Sequence, residues 1–380
     1  MLLTRRSAVF FLSATTLLGS LTGASAQEAT IKIGMTAPMT GPAAEIGHFQ
    51  IEGAKLGIEK VNAAGGVNGR KLELVIEDDQ TTNPGIVLAF SRLVNRGDIA
   101  AVVSSVRSTQ VNAISADAKK TGIPVFFGGT DPTLTHSGNP WLFRTRPNDS
   151  YSAKVIADFG VNVLKKKKWA IVYSTDAFGT NGMKALVEAL KVLGVTPVLT
   201  QGFTNGQTDM TPVVLAVRQS GADIINTYST FENDVAVLAR QLKQFGVAAP
   251  WVGSPSVAST TAVQLAGPAL YGTYAVSDFS AAANPVAKAY DEEFRKVVNR
   301  PADFTSAWAY DAITILADAM KKAGGTDPTK VREAILSTKD FQGAEGLYNF
   351  DENGDGLRSY NIVRNDNGKI VYERTIAFDK

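Results

Sequence analysis

Cysteine is absent from all 380 residues, which excludes disulfides, thiol catalysis and zinc–thiolate sites and leaves the fold to be held by its apolar cores. Histidine occurs only as His48 and His136, too few for a multi-histidine metal site, and neither sits beside a serine motif of a nucleophilic triad. Beyond the first residues no apolar run approaches the roughly 18 residues that a membrane-spanning helix needs. An excess of either charge is also missing: 38 Lys and Arg face 36 Asp and Glu, a balance that does not suggest nucleic acid as a partner. No acid–base, nucleophile or metal constellation appears, so neither an enzyme nor a bound cofactor is the expectation.

What is present begins with an export leader. Arg5 and Arg6 form a positive start, Ala8 to Leu21 is apolar with small polar interruptions, and Ala24-Ser25-Ala26 offers a small-x-small cleavage site. Cleavage after Ala26 places the mature chain, starting at Gln27, in the periplasm; the arginine pair leaves Sec and twin-arginine routes both open. Loss of residues 1–26 removes two arginines and no acids, so acidic and basic residues balance in the mature chain. Its length is ample for two domains at about 150 residues each.

From Ile31 onward, short β-branched runs alternate with longer amphipathic stretches, the pattern of βαβ units and an α/β fold. Strands are predicted at Ile31–Gly34, Leu72–Glu77, Ile99–Ser105 and Ile123–Phe127, with helices over Gln50–Ala63 and Pro84–Arg96 and one opening at Ser108. A second series follows: strands at Trp169–Tyr173, Thr196–Leu199, Asp223–Thr227 and Trp251–Val252, interleaved with helices Gly182–Leu193, Thr211–Ser220 and Asp234–Phe245. Two Rossmann-like lobes are the expectation. A strand near Tyr271–Val276 and a helix-rich region over Val286–Leu336 exceed what the second lobe needs, which allows residues after Ser277 to return to the first.

Several ordered motifs carry a specific resemblance. Ile33-Gly34-Met35-Thr36-Ala37-Pro38-Met39-Thr40-Gly41-Pro42, Val61 to Arg70, Glu77-Asp78-Asp79, Gly129 to Thr135, Phe143-Arg144-Thr145 and Phe350 to Gly356 resemble the leucine/isoleucine/valine-binding proteins, and together they span the mature chain. The resemblance implies the type I periplasmic-binding-protein fold, with two Rossmann-like lobes joined by three hinge crossings. It allots residues 27–148 and 278–356 to the first lobe and 149–277 and 357–380 to the second. It further implies a monomer that binds a branched-chain or related amino acid between the lobes, closes on it and delivers it to an ABC permease. A non-amino carboxylate ligand, or service as a ligand-sensing subunit, stands as the alternative.

Site residues follow from strand ends and from the resemblance together. Carboxyl ends of parallel strands face a crevice, and helix N-termini there present unpaired amides suited to a carboxylate. Ser108 and Thr109 open a helix, so their hydroxyls either cap it or bond a ligand oxygen. Arg107, just before them, either clamps a carboxylate bidentately or serves as a solvated or inter-lobe arginine. In similar proteins the turn at Gly128, Gly129 and Thr130 holds the ligand carboxylate. By resemblance Phe178 covers the ligand from the second lobe, and Tyr228 and Phe231, flanking Thr230, supply a second aromatic wall or core packing. Asp149 either pairs a ligand ammonium or caps the helix after it. Ile46 stands where relatives carry a large aromatic, and Pro255 where amino-acid binders carry the ammonium's carboxylate; Asp149 or Glu232 has to compensate if the ligand has an amine. Two further signals read as structural. Asp351 to Gly356 begins like a calcium loop but has Ile362 where the bidentate glutamate belongs, and Lys165–Lys168 reads as a solvated helix end or a contact for permease or membrane.

Overall fold

The computed structural model describes residues 30–377; the export leader and its cleavage site lie outside the described residues. The first series comprises β1 (Ile31–Ala37), α1 (Ala44–Ala63), β2 (Leu72–Asp78), α2 (Asn83–Val94), β3 (Ile99–Val103), α3 (Ser108–Thr121), β4 (Val125–Phe127) and β5 (Leu142–Arg144). Its five strands form one sheet in the order β2-β1-β3-β4-β5, every pair parallel. Parallel strands covered by helices on both faces are buried all round, which is why Val102, Val103 and Phe126 read as unbroken apolar runs rather than alternation.

After α4 (Asp149–Asp158) the second series runs β6 (Trp169–Ser174), α5 (Ala177–Val192), β7 (Leu199–Phe203), α6 (Thr211–Gln219), β8 (Ile224–Tyr228), α7 (Glu232–Gln244), β9 (Trp251–Gly253), α8 (Thr260–Ala266) and β10 (Tyr274–Ser277). The chain then forms α9 (Pro285–Val298), α10 (Phe304–Ala323) and α11 (Pro328–Leu336), a small hairpin of β11 (Phe341–Gln342) and β12 (Leu347–Tyr348), and finally β13 (Ser359–Asp366) and β14 (Lys369–Ala377). The second sheet has the order β14-β13-β10-β9-β8-β6-β7, with only the β13 and β14 pairings antiparallel.

Helix α10 packs on α1 of the first lobe, and sequence makes that contact close. A Cβ on Gly53 would lie 2.2 Å from the Ser306 carbonyl oxygen, and one on Gly57 would lie 2.9 Å from Ile313 Cβ, so bare helix backbone meets its partner there. Trp308, Ile313 and Leu316 join Ile33, Met35 and Val103 in one apolar cluster.

Three crossings between the lobes are laced together by buried polar groups. Arg144 is fully buried: its Nε donates to Asp355 Oδ1 at 2.7 Å, and its Nη atoms donate to the carbonyls of Gly129 and Asp131 and to the Thr135 hydroxyl. Arg146 pairs with Asp278, Tyr360 donates its hydroxyl to the Pro147 carbonyl at 2.9 Å, and Asn361 Nδ2 donates to the Asp278 carbonyl at 3.2 Å. The Asp351–Gly356 loop thus supplies Asp355 to the hinge, and Asp351 stabilises its turn by accepting from the amides of Asn353 and Asp355.

The largest departures from the sequence reading fall at three boundaries. Strand β7 spans Leu199–Phe203 rather than Thr196–Leu199, because Val195 N–H still closes the end of α5 on the Leu190 carbonyl and Pro197 follows. Helix α1 starts at Ala44, well before Gln50. Helix α5 starts at Ala177 rather than Gly182, because the Asp176 carboxylate caps it by accepting from Gly179 N–H at 3.0 Å.

Candidate functional site

The carboxyl ends of β3 and β4 face those of β6, β8 and β9 across a narrow cleft lined from both sides. Its walls are sorted by chemistry: Ile46, Val106, Phe178, Pro255 and Phe304 are apolar, while Arg107, Ser108, Thr130, Ser229, Thr230, Glu232 and Ser256 are polar or charged. The cleft is bridged at its rims. Asn181 Nδ2 donates to Asp131 Oδ2 at 2.7 Å, and the amide and hydroxyl of Thr260 donate to Asp303 Oδ2 at 2.8 and 2.7 Å.

Arg107 dominates the electrostatics. It is 7% exposed, and its Nε and both Nη atoms have no hydrogen-bond partner among the described residues. Its position is nonetheless defined: its amide donates to Ser105 Oγ at 3.0 Å, and its guanidinium lies 5.1 Å from the centroid of the Phe231 ring. Burial pulls its pKa down while Glu232, Asp79 and Asp176 act in the opposite direction. Arginine stays charged even so, and its planar fork of donors suits a carboxylate. Glu232, the first residue of α7, lines the same cleft from the other lobe; burial raises its pKa to about 7 against the pull of Arg107.

The remaining sequence-predicted residues separate into wall and backing. Ser108, Thr130 and Phe178 line the cleft with Arg107. Gly128 and Gly129 lie behind the wall: a Cβ on the first would sit 3.0 Å from the Trp308 ring and on the second 3.0 Å from Ser108 Cα, so these glycines let the β4 turn approach α3 and α10. Tyr228 is fully buried; it shares a hydrogen bond with Ser152 Oγ at 2.8 Å and meets Phe178 edge to face at 5.7 Å. Phe231 supports Arg107 instead of facing the cleft, and half-buried Thr109 does not line it.

Asp149 is sealed off. Its Oδ2 accepts from the Thr130 hydroxyl at 2.8 Å and its Oδ1 from Ser152 Oγ at 3.2 Å, and burial raises its pKa to about 7 against those bonds and the charges of Arg146 and Arg144. It caps nothing either, since Asn148 is the N-cap of α4 and accepts from Ser150 N–H. Ser108 likewise turns its hydroxyl across to Asp131, whose amide donates to it at 3.1 Å, and leaves α3 without a side-chain cap. Lining residues not anticipated from sequence are Val106, Arg146, Ser229, Ser256, Phe304 and Thr305. The only local signal for the last two is the Asp303 cap at the start of α10, whose carboxylate accepts from Thr305 N–H.

Two α/β lobes facing each other over a buried, charged cleft define a ligand-binding protein of the hinged, two-lobed class. The chain belongs to the periplasmic binding protein family, whose profile matches residues 30–369. Among its relatives, an amino acid binding protein of Pseudomonas aeruginosa is 31% identical over 353 residues, covering 92% of this chain and 93% of the relative. The Leu/Ile/Val-binding protein homolog 3 of Brucella melitensis is 31% identical over 351 residues, covering 92% of this chain and 95% of its own. A branched-chain amino acid transporter substrate binding protein from Streptococcus pneumoniae, solved with isoleucine, superposes with a TM-score of 0.84 at 26% identity, over 92% of this chain and 99% of that one.

Proposed function

We propose that this chain is the solute-binding component of an ABC importer, exported to the periplasm and active as a monomer, and that it captures a branched-chain or related amino acid in the cleft for delivery to its permease. The observation that carries this reading is Arg107. A buried guanidinium with three unpartnered nitrogens is costly unless an anion completes it, and a ligand carboxylate answers the fork with two charge-assisted bonds. The neighbouring wall of Ile46, Val106, Phe178, Pro255 and Phe304 removes an aliphatic side chain from water at about 25 cal/mol per Å². The relatives' names and the isoleucine complex of the pneumococcal protein support the same ligand class.

Capture and closure are one equilibrium here. Arg107, Ser108 and Thr130 belong to the first lobe and Phe178, Ser229 and Glu232 to the second, so a ligand touching both sets is bound fully only when the lobes are together. Titration calorimetry with leucine, isoleucine and valine tests the reading, alongside Arg107→Met, which keeps an apolar stem and removes the fork. The variant is expected to lose roughly 10- to 100-fold in affinity, the worth of a hydrogen bond to a charged group. A parent protein that ignores all amino acids at millimolar concentration refutes the ligand class, and a variant that binds as well as the parent refutes the role of Arg107.

A further inference from the structure

Arg107 by itself asks only for a carboxylate; what recognises the other end of the ligand is a separate question. We propose that Glu232, entering the cleft from the second lobe, is the counter-charge for the ligand's amino group, so that the two lobes divide a zwitterion between them. This rests on the amino-acid reading above and deepens it.

Elimination among the nearby carboxylates leads to Glu232. Asp149 is fully buried behind Thr130 and Ser152 and does not line the cleft. Asp131 and Asp303 are engaged in the bonds that cross the rims. Asp176 caps α5 and accepts from Asn205 Nδ2 at 2.7 Å, and Asp79 Oδ1 accepts from Gln110 Nε2 at 3.1 Å beneath the wall. Pro255 carries no charge. Glu232 alone among these acids lines the cleft, and Arg107 makes no hydrogen bond to it. Two opposite, mutually unbonded charges reaching one cavity from opposite lobes match the two ends of an amino acid.

The same placement makes the site discriminate between ligands as pH changes. Arg107 acts on Glu232 from α3, Asp303 from α10 and Asp234 from its own helix, while Arg146 in the cleft wall is already paired with Asp278. Burial holds Glu232 near pH 7, so it is partly protonated at neutrality. An ammonium needs the ionised form, and its binding strengthens as pH rises. A ligand without the amine is hindered by a bare buried carboxylate, and its binding strengthens as pH falls.

The test compares leucine with 4-methyl-2-oxopentanoate, its deaminated 2-keto analogue, by calorimetry on the parent protein and on Glu232→Gln. The variant is expected to bind leucine roughly 10- to 100-fold more weakly while holding or improving its affinity for the keto acid, and that retained binding also shows that it is folded. In the parent, leucine affinity is expected to rise and keto-acid affinity to fall between about pH 6 and 8, around the Glu232 midpoint. Leucine affinity unchanged in the variant, or parallel pH slopes for both ligands in the parent, overturns the assignment while leaving the amino-acid reading intact. A parent protein that binds the keto acid and no amino acid overturns both.

Discussion

The hydrogen bonds across the rims of the cleft provide a measure of closure that does not touch the ligand. Thr260 lies on α8, against α7 of the second lobe, whereas Asp303 caps α10, which packs on α1 of the first. Opening the lobes therefore breaks the 2.7 Å bond from the Thr260 hydroxyl to the Asp303 carboxylate. Thr260→Val keeps the shape and removes the donor. A hydrogen bond to a charged acceptor contributes about 1.5–3 kcal/mol when buried; this one is partly exposed and Thr260 N–H still reaches the same oxygen, so about 1 kcal/mol is the reasonable figure. Because the bond exists only in the closed form, its loss appears in full as weaker ligand binding, about fivefold. The change should fall on dissociation rather than association, since encounter occurs with the open form. Stopped-flow fluorescence with leucine measures both rates, and the melting point of the ligand-free variant checks that the lobes are intact. Asn181→Ala removes the bond to Asp131 at 2.7 Å, and as the two bonds share no residue their losses should add in the double variant. Parent-like dissociation rates in both variants would refute the reasoning.

Two further outcomes concern stability. Thr130→Ala withdraws the hydroxyl that donates to buried Asp149, and is expected to cost about 1–3 kcal/mol in urea denaturation while Thr130→Ser retains most of it; equal stability of the alanine variant and the parent would show the bond to be idle. Burial raises Asp149 to about 7 and Asp311 to about 6, so the native state holds protons that the unfolded chain has released. Their stabilisation is complete below the ordinary carboxylate range and is lost as pH rises through about 6–7, whereas Asp78 and Asp355, held below that range, weaken the fold only in stronger acid. The melting point of ligand-free protein should therefore fall between pH 5 and 8, and a rise across that window would contradict the burial of these acids.

How far the sequence could be read depends on whether a property is local. The strands and their order along the chain were legible, though not every boundary, because parallel strands covered on both faces must be largely apolar, and a ligand crevice at their carboxyl ends follows from the α/β arrangement. That reasoning reached Arg107 and Ser108, and the family resemblance added Thr130 and Phe178; all four lie within a few residues of a strand end and all are in the wall. It could not reach Phe304 and Thr305, which come to the cleft at the start of α10 because Gly53 and Gly57 let that helix settle against α1, a contact more than 240 residues long in sequence. Side-chain direction is the other missing quantity. Asp149 and Glu232 are alike in sequence terms, each an acid at the first position of a helix. Asp149 follows a hinge segment and turns toward Thr130 and Ser152, donors supplied by its surroundings, while Glu232 follows Phe231, whose ring is occupied by Arg107 from the opposite lobe. One acid was therefore drawn into the scaffold and the other left in the cleft by partners distant in the chain, and only the folded arrangement separates a structural carboxylate from one positioned to meet a ligand.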